Sequence, residues 1–526
     1  MASAKTPSRP GTRSSGVANL SHALQRLGGA FAPAADRSEL QLNVTKTTGS
    51  PISRSGIYIF LISSTCVYYL LNASILVGHY DLGWHLAAGD LIRDRGHIPF
   101  HDPWSFTAGD RQWFNLEWLW GVCASALFQH THFVGLVLFV VACGAAIVGY
   151  LTRACLGSGA STLSVSISVL SACLLYPEFS SYPNIYLAAA PNIATMVFSV
   201  VFYKECLQRT KRVLFLPAVM LLWANLHGGF LLGLGIIGVF AGIALLKRDW
   251  ANCGLYGIAG GACFAVTFIN PLGWHIYEAL TTVLGHFSQK YITEWWPYYR
   301  NMVMPGSIPG IIYILTFVVL ELRYRRACPI ESRMLSWLFL FLGLYQFRYM
   351  SFFFLFSTIP LALNLDRLLP RQADDFKTEK SLLFAGIALA CALPLVCIRM
   401  PALGLPALLS KQDVHYLETH YPHARLLNHW NYGGILIFWM RGAIPVFVDG
   451  RAATAYPNSL LHDYFALVKP DQLTIDEAAW DRVLAKYKIN TVLWPKSHEQ
   501  LRHFLVDKEG WKETYTGAYA AIYVKP

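Results

Sequence analysis

The sequence predicts a polytopic α-helical membrane protein, with about 11 transmembrane helices and a small C-terminal α/β soluble domain. Three observations carry that prediction. The 526 residues are 54% hydrophobic and only 14% charged, where a soluble domain carries about 25% charged residues. Mean hydropathy is +0.39. Eleven apolar runs of near-spanning length follow one another up to residue 399, and ordinary polarity returns only after residue 400.

Residues 1–54 are rich in Ser, Thr, Pro, Arg and Lys. They lack the apolar core of a signal peptide and read as a disordered basic cytoplasmic tail. The first span is Ser55–Val77. Residues 78–116 form a long polar and aromatic first outer loop, within which Leu82–Arg93 reads as an amphipathic helix lying at the membrane surface. The apolar pattern re-enters at Glu117–Gln129 and spans at Phe133–Leu151. Further spans fall near 161–176, 190–206, 213–226, 228–246, 252–270, 305–322, 334–346, 350–365 and 381–399. Two of these, 213–226 and 334–346, are short and need protein or a cavity around them. The organisation is therefore a tail (1–54), a membrane domain (55–400) and an outer domain (401–526). In the last, Val446–Asp449 and Thr491–Trp494 read as buried strands. Ala479–Tyr487 and Leu501–Asp507 read as helices, and Trp511–Tyr515 with Ala520–Val524 as a closing hairpin.

Charge sets the orientation. Alternate loops hold Lys204, Arg209, Lys211 and Arg212; Lys247 and Arg248; Arg323, Arg325, Arg326 and Arg333; and Arg367, Arg371, Lys377 and Lys380. Basic loops face the cytoplasm, so the N-terminus is inside and residues 400–526 are outside. The net charge of +11 is thus explained by topology, and no nucleic-acid partner is implied. The eleven cysteines show no CxxC or Cys/His metal spacing and read as small apolar packers. Most of the sixteen Trp read as an interfacial belt.

With this topology the costly polar residues gather on the outer side, where such groups line cavities or pair with one another. Asp81 and His85 lie four apart, on one face of a helix. Asp102 and Trp104, then Glu117, follow in the same loop. Asn225 and His227 stand where two apolar runs meet. Glu294 and Arg348 complete the set. A carboxylate among apolar neighbours has a raised pKa and can act as a base near neutrality. Each residue also has a plainer role. Asp81 suits a helix N-cap; Glu117 suits a cap or a pair with Arg111. Asp102 before a proline suits an Asx turn. Asn225 and His227 suit a helix break, and Arg348 suits snorkelling to the interface.

These stretches resemble the GT-C glycosyltransferases, and more closely a bacterial group near the family-39 protein mannosyltransferase and aminoarabinose-transferase types. The resemblance rests on Asp81-Leu82-Gly83-Trp84-His85, Asp102-Pro103-Trp104-Ser105-Phe106 and Asn115-Leu116-Glu117-Trp118. It continues through Trp223-Ala224-Asn225-Leu226-His227-Gly228-Gly229, Asn270-Pro271-Leu272-Gly273-Trp274 and Glu294-Trp295. In the outer domain it takes in Asn431-Tyr432-Gly433-Gly434 and Val448-Asp449-Gly450-Arg451. It implies transfer of a sugar from a polyprenyl-phosphate donor to a glycan, lipid or protein acceptor, with inversion, at the outer face of the bacterial inner membrane. Asp81 by preference, with Glu117 and His85, would serve catalysis. Asp102, Trp104, Asn225, His227, Glu294, Lys290 and Arg348 would bind substrate. No cofactor is certain; the resemblance leaves room for a divalent cation, Mg or Mn, at Asp81. The family pattern of two adjacent acidic residues is broken here by Leu82, and the Lys-Pro that often follows the later Glu is replaced by Trp118-Leu119.

Two other readings fit the same composition. A non-enzymatic transporter or scaffold of lipid-linked glycan assembly would show duplicated halves, and no long repeat is visible. A glycan ligase or polymerase would favour Arg-rich outer loops, and only Arg300 and Arg348 are available there.

Overall fold

The structure is a computed structural model. It describes residues 55–108, 111–174, 188–301, 308–324, 328–369, 375–398, 403–405, 408–468 and 474–526. The basic tail 1–54 lies outside the described residues, as do Arg325, Arg326 and Arg371 of the predicted cytoplasmic loops.

Each of the eleven apolar segments forms a helix. They are α1 (Ser55–Leu71), α3 (Trp118–Gly157), α4 (Thr162–Leu174), α5 (Asn192–Gln208), α6 (Leu216–Leu226) and α7 (Leu231–Leu246), then α8 (Trp250–Val266), α10 (Ile308–Tyr324), α11 (Ile330–Tyr345), α12 (Met350–Leu368) and α13 (Asp375–Ile398), with a shorter helix, α9 (His275–Val283), between α8 and α10. Among the described residues, four stretches are long and apolar enough to cross a membrane: 118–157, 228–246, 347–368 and 377–398. Two shorter apolar helices, 55–71 and 162–173, accompany them. A count of eleven spans is therefore more than helix length carries. Helix α3 is broken at His132, whose φ of 52° and ψ of −152° are not helical, so the re-entering segment and the following span are two helices meeting at a bend.

The basic loops meet at one end of the helices. Glu331 accepts from Arg209 at 2.8 Å and from Lys247 at 3.1 Å. Glu321 pairs with Arg333 and accepts from Asn364 at 2.9 Å. Asp366 accepts from the backbone N–H of Ser161 at 2.8 Å. Helix α11 starts at this end and finishes at the other, where Arg348 stands. Large apolar side chains such as Ile312, Leu315, Val319, Phe341 and Phe384 remain exposed, an outer surface suited to lipid rather than water.

The first outer loop differs from the surface helix expected. Helix α2 (Leu82–Arg95) buries Leu82 through Gly89 and Ile92. It lies between α3 and α15 (Trp430–Met440) of the C-terminal part. Its polarity is that of a packed helix, not of an amphipathic one floating on headgroups. Gly83 and Gly434 permit the contact: a Cβ on Gly83 would collide with the carbonyl of Gly434, and one on Gly434 would sit 2.6 Å from the carbonyl of Tyr80. The tryptophans of the loop follow suit. Trp84, Trp104 and Trp113 are buried in one apolar core with Leu426, Val446, Trp480 and Trp494, so their aromatic surface holds the C-terminal part to the loop instead of forming an interfacial belt.

The C-terminal part is built on a four-stranded sheet of order β1-β2-β4-β3. Its strands are β1 (Leu426–Asn428), β2 (Thr491–Pro495), β3 (Lys512–Thr516) and β4 (Ala520–Val524). Strands β1 and β2 are parallel, and β4 runs antiparallel to both β2 and β3. Helices α14 (Lys411–His420), α15, α16 (Asn458–Leu467) and α17 (Glu477–Lys486) surround it. The predicted helices and hairpin are present. Val446–Asp449, however, is not a strand of this sheet. Its backbone groups are taken elsewhere: Val446 N–H donates to Trp104 O at 2.9 Å, and Phe447 N–H donates to Asn428 Oδ1 at 2.8 Å. Asn428 Nδ2 donates to Val448 O at 2.8 Å. The segment is thereby stitched to the first outer loop, and Gly450 is brought against Asp81.

Candidate active site

A cavity of about 570 Å³ opens at the helix ends remote from the basic loops. Asp81, His85, Glu117, His227, Glu294 and Arg348 all line it, although they come from five separate stretches of chain. The remainder of the wall is largely apolar, with Leu280, Leu284, Leu342 and Phe352 among its members.

Asp81 occupies the N-cap position of α2, yet its side chain makes no capping bond. The carboxylate instead abuts Gly450: any Cβ there would overlap Asp81 Oδ1. Burial raises the pKa of Asp81; His79 opposes the shift, and Asp449 and Glu294 add to it. Glu117 likewise sits at an N-cap position, that of α3, without capping. Its backbone N–H donates to Asn115 Oδ1 at 3.3 Å, which fixes the turn. Arg111, the alternative partner, donates to the carbonyl of Ala453 at 3.5 Å. The Glu117 carboxylate therefore faces two imidazoles, with Oε2 3.5 Å from His85 Nε2 and Oε1 3.5 Å from His227 Nε2. Burial, then the charge of Asp81, pushes the Glu117 carboxyl up to about 8, against the pull of Arg348.

His227 stands at the break between α6 and α7, where the sequence placed a polar junction. Burial and the nearby Arg348 charge lower its pKa to about 3, so it is neutral. His85 is 2% exposed, lies against the Trp84 ring at 3.6 Å, and is also held neutral by burial. Across the cavity, Arg348 reaches Glu294 at 3.5 Å and stacks 3.9 Å from the Trp295 ring. Its guanidinium is thus anchored on one side, with its remaining donors available to an anion.

Four candidates stand outside the cavity. Asp102 accepts from Trp104 N–H at 3.0 Å, from Ser105 Oγ, and from Arg451 at 2.6 Å; it makes the Asx turn and a buried ion pair. Trp104 packs edge-on to Trp113 at 5.5 Å. Asn225 is fully engaged: Oδ1 accepts from Trp118 at 3.1 Å, and Nδ2 donates to Leu221 O and Ile269 O, each at 2.9 Å. Lys290 is exposed, and its carbonyl accepts from Trp296 at 2.8 Å.

Other wall residues carried no chemistry in the sequence reading. Gly450 through Thr454 of the C-terminal part line the cavity beside His79. The Asp449-Gly450-Arg451 motif was the available signal, but its partners lie almost 350 residues away in the chain. Thr195, also on the wall, bonds His227 Nδ1 at 2.7 Å. Among the described residues, no three His, Cys, Asp or Glu side chains converge as a metal site.

No family model matches the chain, and no curated protein sequence matches it. In fold it is similar to the oligosaccharyltransferase of Archaeoglobus fulgidus, known from a crystal structure in the apo form. The TM-score is 0.55 over 85% of this chain and 70% of that one, at 11% sequence identity. The chain thus shares the overall fold of that oligosaccharyltransferase over most of its length.

Proposed function

We propose that the chain transfers a sugar from a polyprenyl-phosphate donor to an acceptor hydroxyl, as the family-39-like group of the GT-C enzymes does. The observation that carries this reading is the cavity itself. Asp81 and Glu117 share it with Arg348, beneath a wall of leucine and phenylalanine side chains. Phosphate suits the guanidinium, a prenyl chain suits the apolar wall, and a hydroxyl suits the carboxylates.

In the proposed step the acceptor oxygen attacks the anomeric carbon from the face opposite the phosphate. The C–O bond to phosphate breaks, and the phosphate leaves with the electron pair beside Arg348. A carboxylate of the first outer loop, Asp81 or Glu117, takes the hydroxyl proton. The anomeric configuration inverts. Because the cavity lies at the helix ends opposite the basic loops, the positive-inside rule supports a site on the outer face of a bacterial inner membrane. Sugar nucleotides are cytoplasmic, which favours a lipid-linked donor there. The acceptor would be an envelope glycan, lipid or protein.

Deleting the chain tests this reading. Mass analysis of extracted lipids should show a polyprenyl-phosphate sugar accumulating several-fold in the deletion strain and returning to normal on re-expression. Unchanged levels of every polyprenyl-linked sugar would overturn it.

A further inference from the structure

The surroundings of His227 determine which of its ring nitrogens carries the proton. Gly229 N–H can only donate, and it lies 3.2 Å from Nδ1. Thr195 Oγ1 lies 2.7 Å from the same nitrogen. Trp223 Nε1, a donor only, already donates to that hydroxyl at 2.8 Å. The Thr195 hydroxyl therefore has its own hydrogen to give to Nδ1. Two donors aimed at Nδ1 leave the neutral ring protonated at Nε2, and Nε2 is the atom that faces Glu117 Oε1. His85 differs: its Nδ1 is buried without a partner, so nothing fixes its tautomer.

From this we infer that His227 is a positioning residue for Glu117: Thr195 and Gly229 hold it as the Nε2–H tautomer, and that N–H, aimed at Oε1, favours the carboxylate form of Glu117. At 3.5 Å the contact is longer than a hydrogen bond, and such contacts commonly tighten when substrate fills a site. The arrangement makes a chain from Trp223 through Thr195 and His227 to Glu117, across α6, α5 and the break before α7. The groups facing Glu117 from the other elements are Asp81 and His85 from the first outer loop and α2, Glu294 from the 293–295 turn, and Arg348 from the turn before α12. Asp81 and Glu294 raise its proton affinity and Arg348 lowers it. His227 adds a fixed N–H dipole on the Oε1 side. The inference rests on the proposed sugar transfer for its purpose, though not for its test.

Infrared spectroscopy of the purified full chain in detergent follows the protonated carboxyl band of Glu117, assigned by its loss in Glu117→Gln. In the wild type that band should disappear as pH rises through about 8. His227→Phe should move the midpoint up by about one pH unit, since a lost donor to a carboxylate disfavours its charged form. His227→Gln, whose amide N–H can replace Nε2–H, should restore it. Equal midpoints in all three proteins, or equal shifts in Phe and Gln, would overturn the proposal. Should the Phe variant not fold, nitrogen NMR of ring-labelled histidine in the wild type decides. A bare Nδ1 with a protonated Nε2 at His227 supports the proposal, and the opposite tautomer overturns it. Neither measurement needs a sugar donor, so failure here and failure of the transfer reading are separately visible.

Discussion

Asp81→Asn should lower transfer by about a hundredfold to ten-thousandfold, the range that a positioned acid–base group contributes, with expression unchanged. Asn keeps the shape that fits against Gly450 but cannot accept a proton. The same substitution has a second consequence. Asp81 is one of the charges that raise Glu117, so its removal should bring Glu117 down from about 8 and shift the rising limb of any residual pH–rate profile to lower pH. Glu117→Gln should also impair transfer, yet its effect on stability has the opposite sign. The folded chain holds Glu117 at about 8 against an ordinary value of 4.5. A raised carboxyl gives stability that is complete below the ordinary value and is lost as pH rises through the folded one. Gln carries no such loss. The melting temperature of Glu117→Gln should therefore exceed that of the wild type increasingly between pH 4.5 and about 8. A constant difference across that range would mean that Glu117 is ionised at neutral pH.

Arg451→Met should be the most destabilising single change at the seam between the C-terminal part and the first outer loop. Arg451 is 3% exposed. It donates to Asp449 at 2.8 and 2.6 Å, to Asp102 at 2.6 Å and to Tyr456 at 3.2 Å. Burial acts to lower its pKa, but the charges of Asp449 and Asp102 outweigh that and hold it well above the usual arginine value. Removing the guanidinium leaves two buried carboxylates without a cation. Breaking one partner out of a buried ion pair costs about 3–5 kcal/mol. Arg451→Lys should not restore stability, because a point ammonium cannot bridge both carboxylates in one plane. The measurement is thermal melting together with limited proteolysis of the segment after residue 403. A melting curve like the wild type's, with proteolysis unchanged, would show that the network does not hold the two parts together.

Much of the membrane part was legible because its signal is local. A run of apolar residues makes a helix wherever it lies, and the basic loops sort the helix ends. The sorting put Asp81, Glu117, His227, Glu294 and Arg348 at one end, and the fold brings them to one cavity. What stayed illegible depends on contacts distant in sequence. Leu82–Arg93 reads as amphipathic until Gly434 is known to lie against Gly83. Asp102 reads as a loop acid until Arg451 arrives. Val446–Asp449 has the composition of a strand, but Asn428 and Trp104 take its hydrogen bonds. Asn225 and His227 stand two apart and look equivalent, although one is spent on backbone carbonyls and the other faces Glu117. Tryptophan misleads for a physical reason: the same ring suits an interface and a core, and only packing distinguishes them.

The proposed sugar transfer depends on a carboxylate of the first outer loop. Its most direct test is complementation of a deletion strain with Asp81→Asn at wild-type expression, followed by mass analysis of the envelope glycans. We predict that wild-type chain restores the glycan profile and that Asp81→Asn leaves it as in the deletion strain. A profile fully restored by Asp81→Asn would contradict the catalytic role of Asp81.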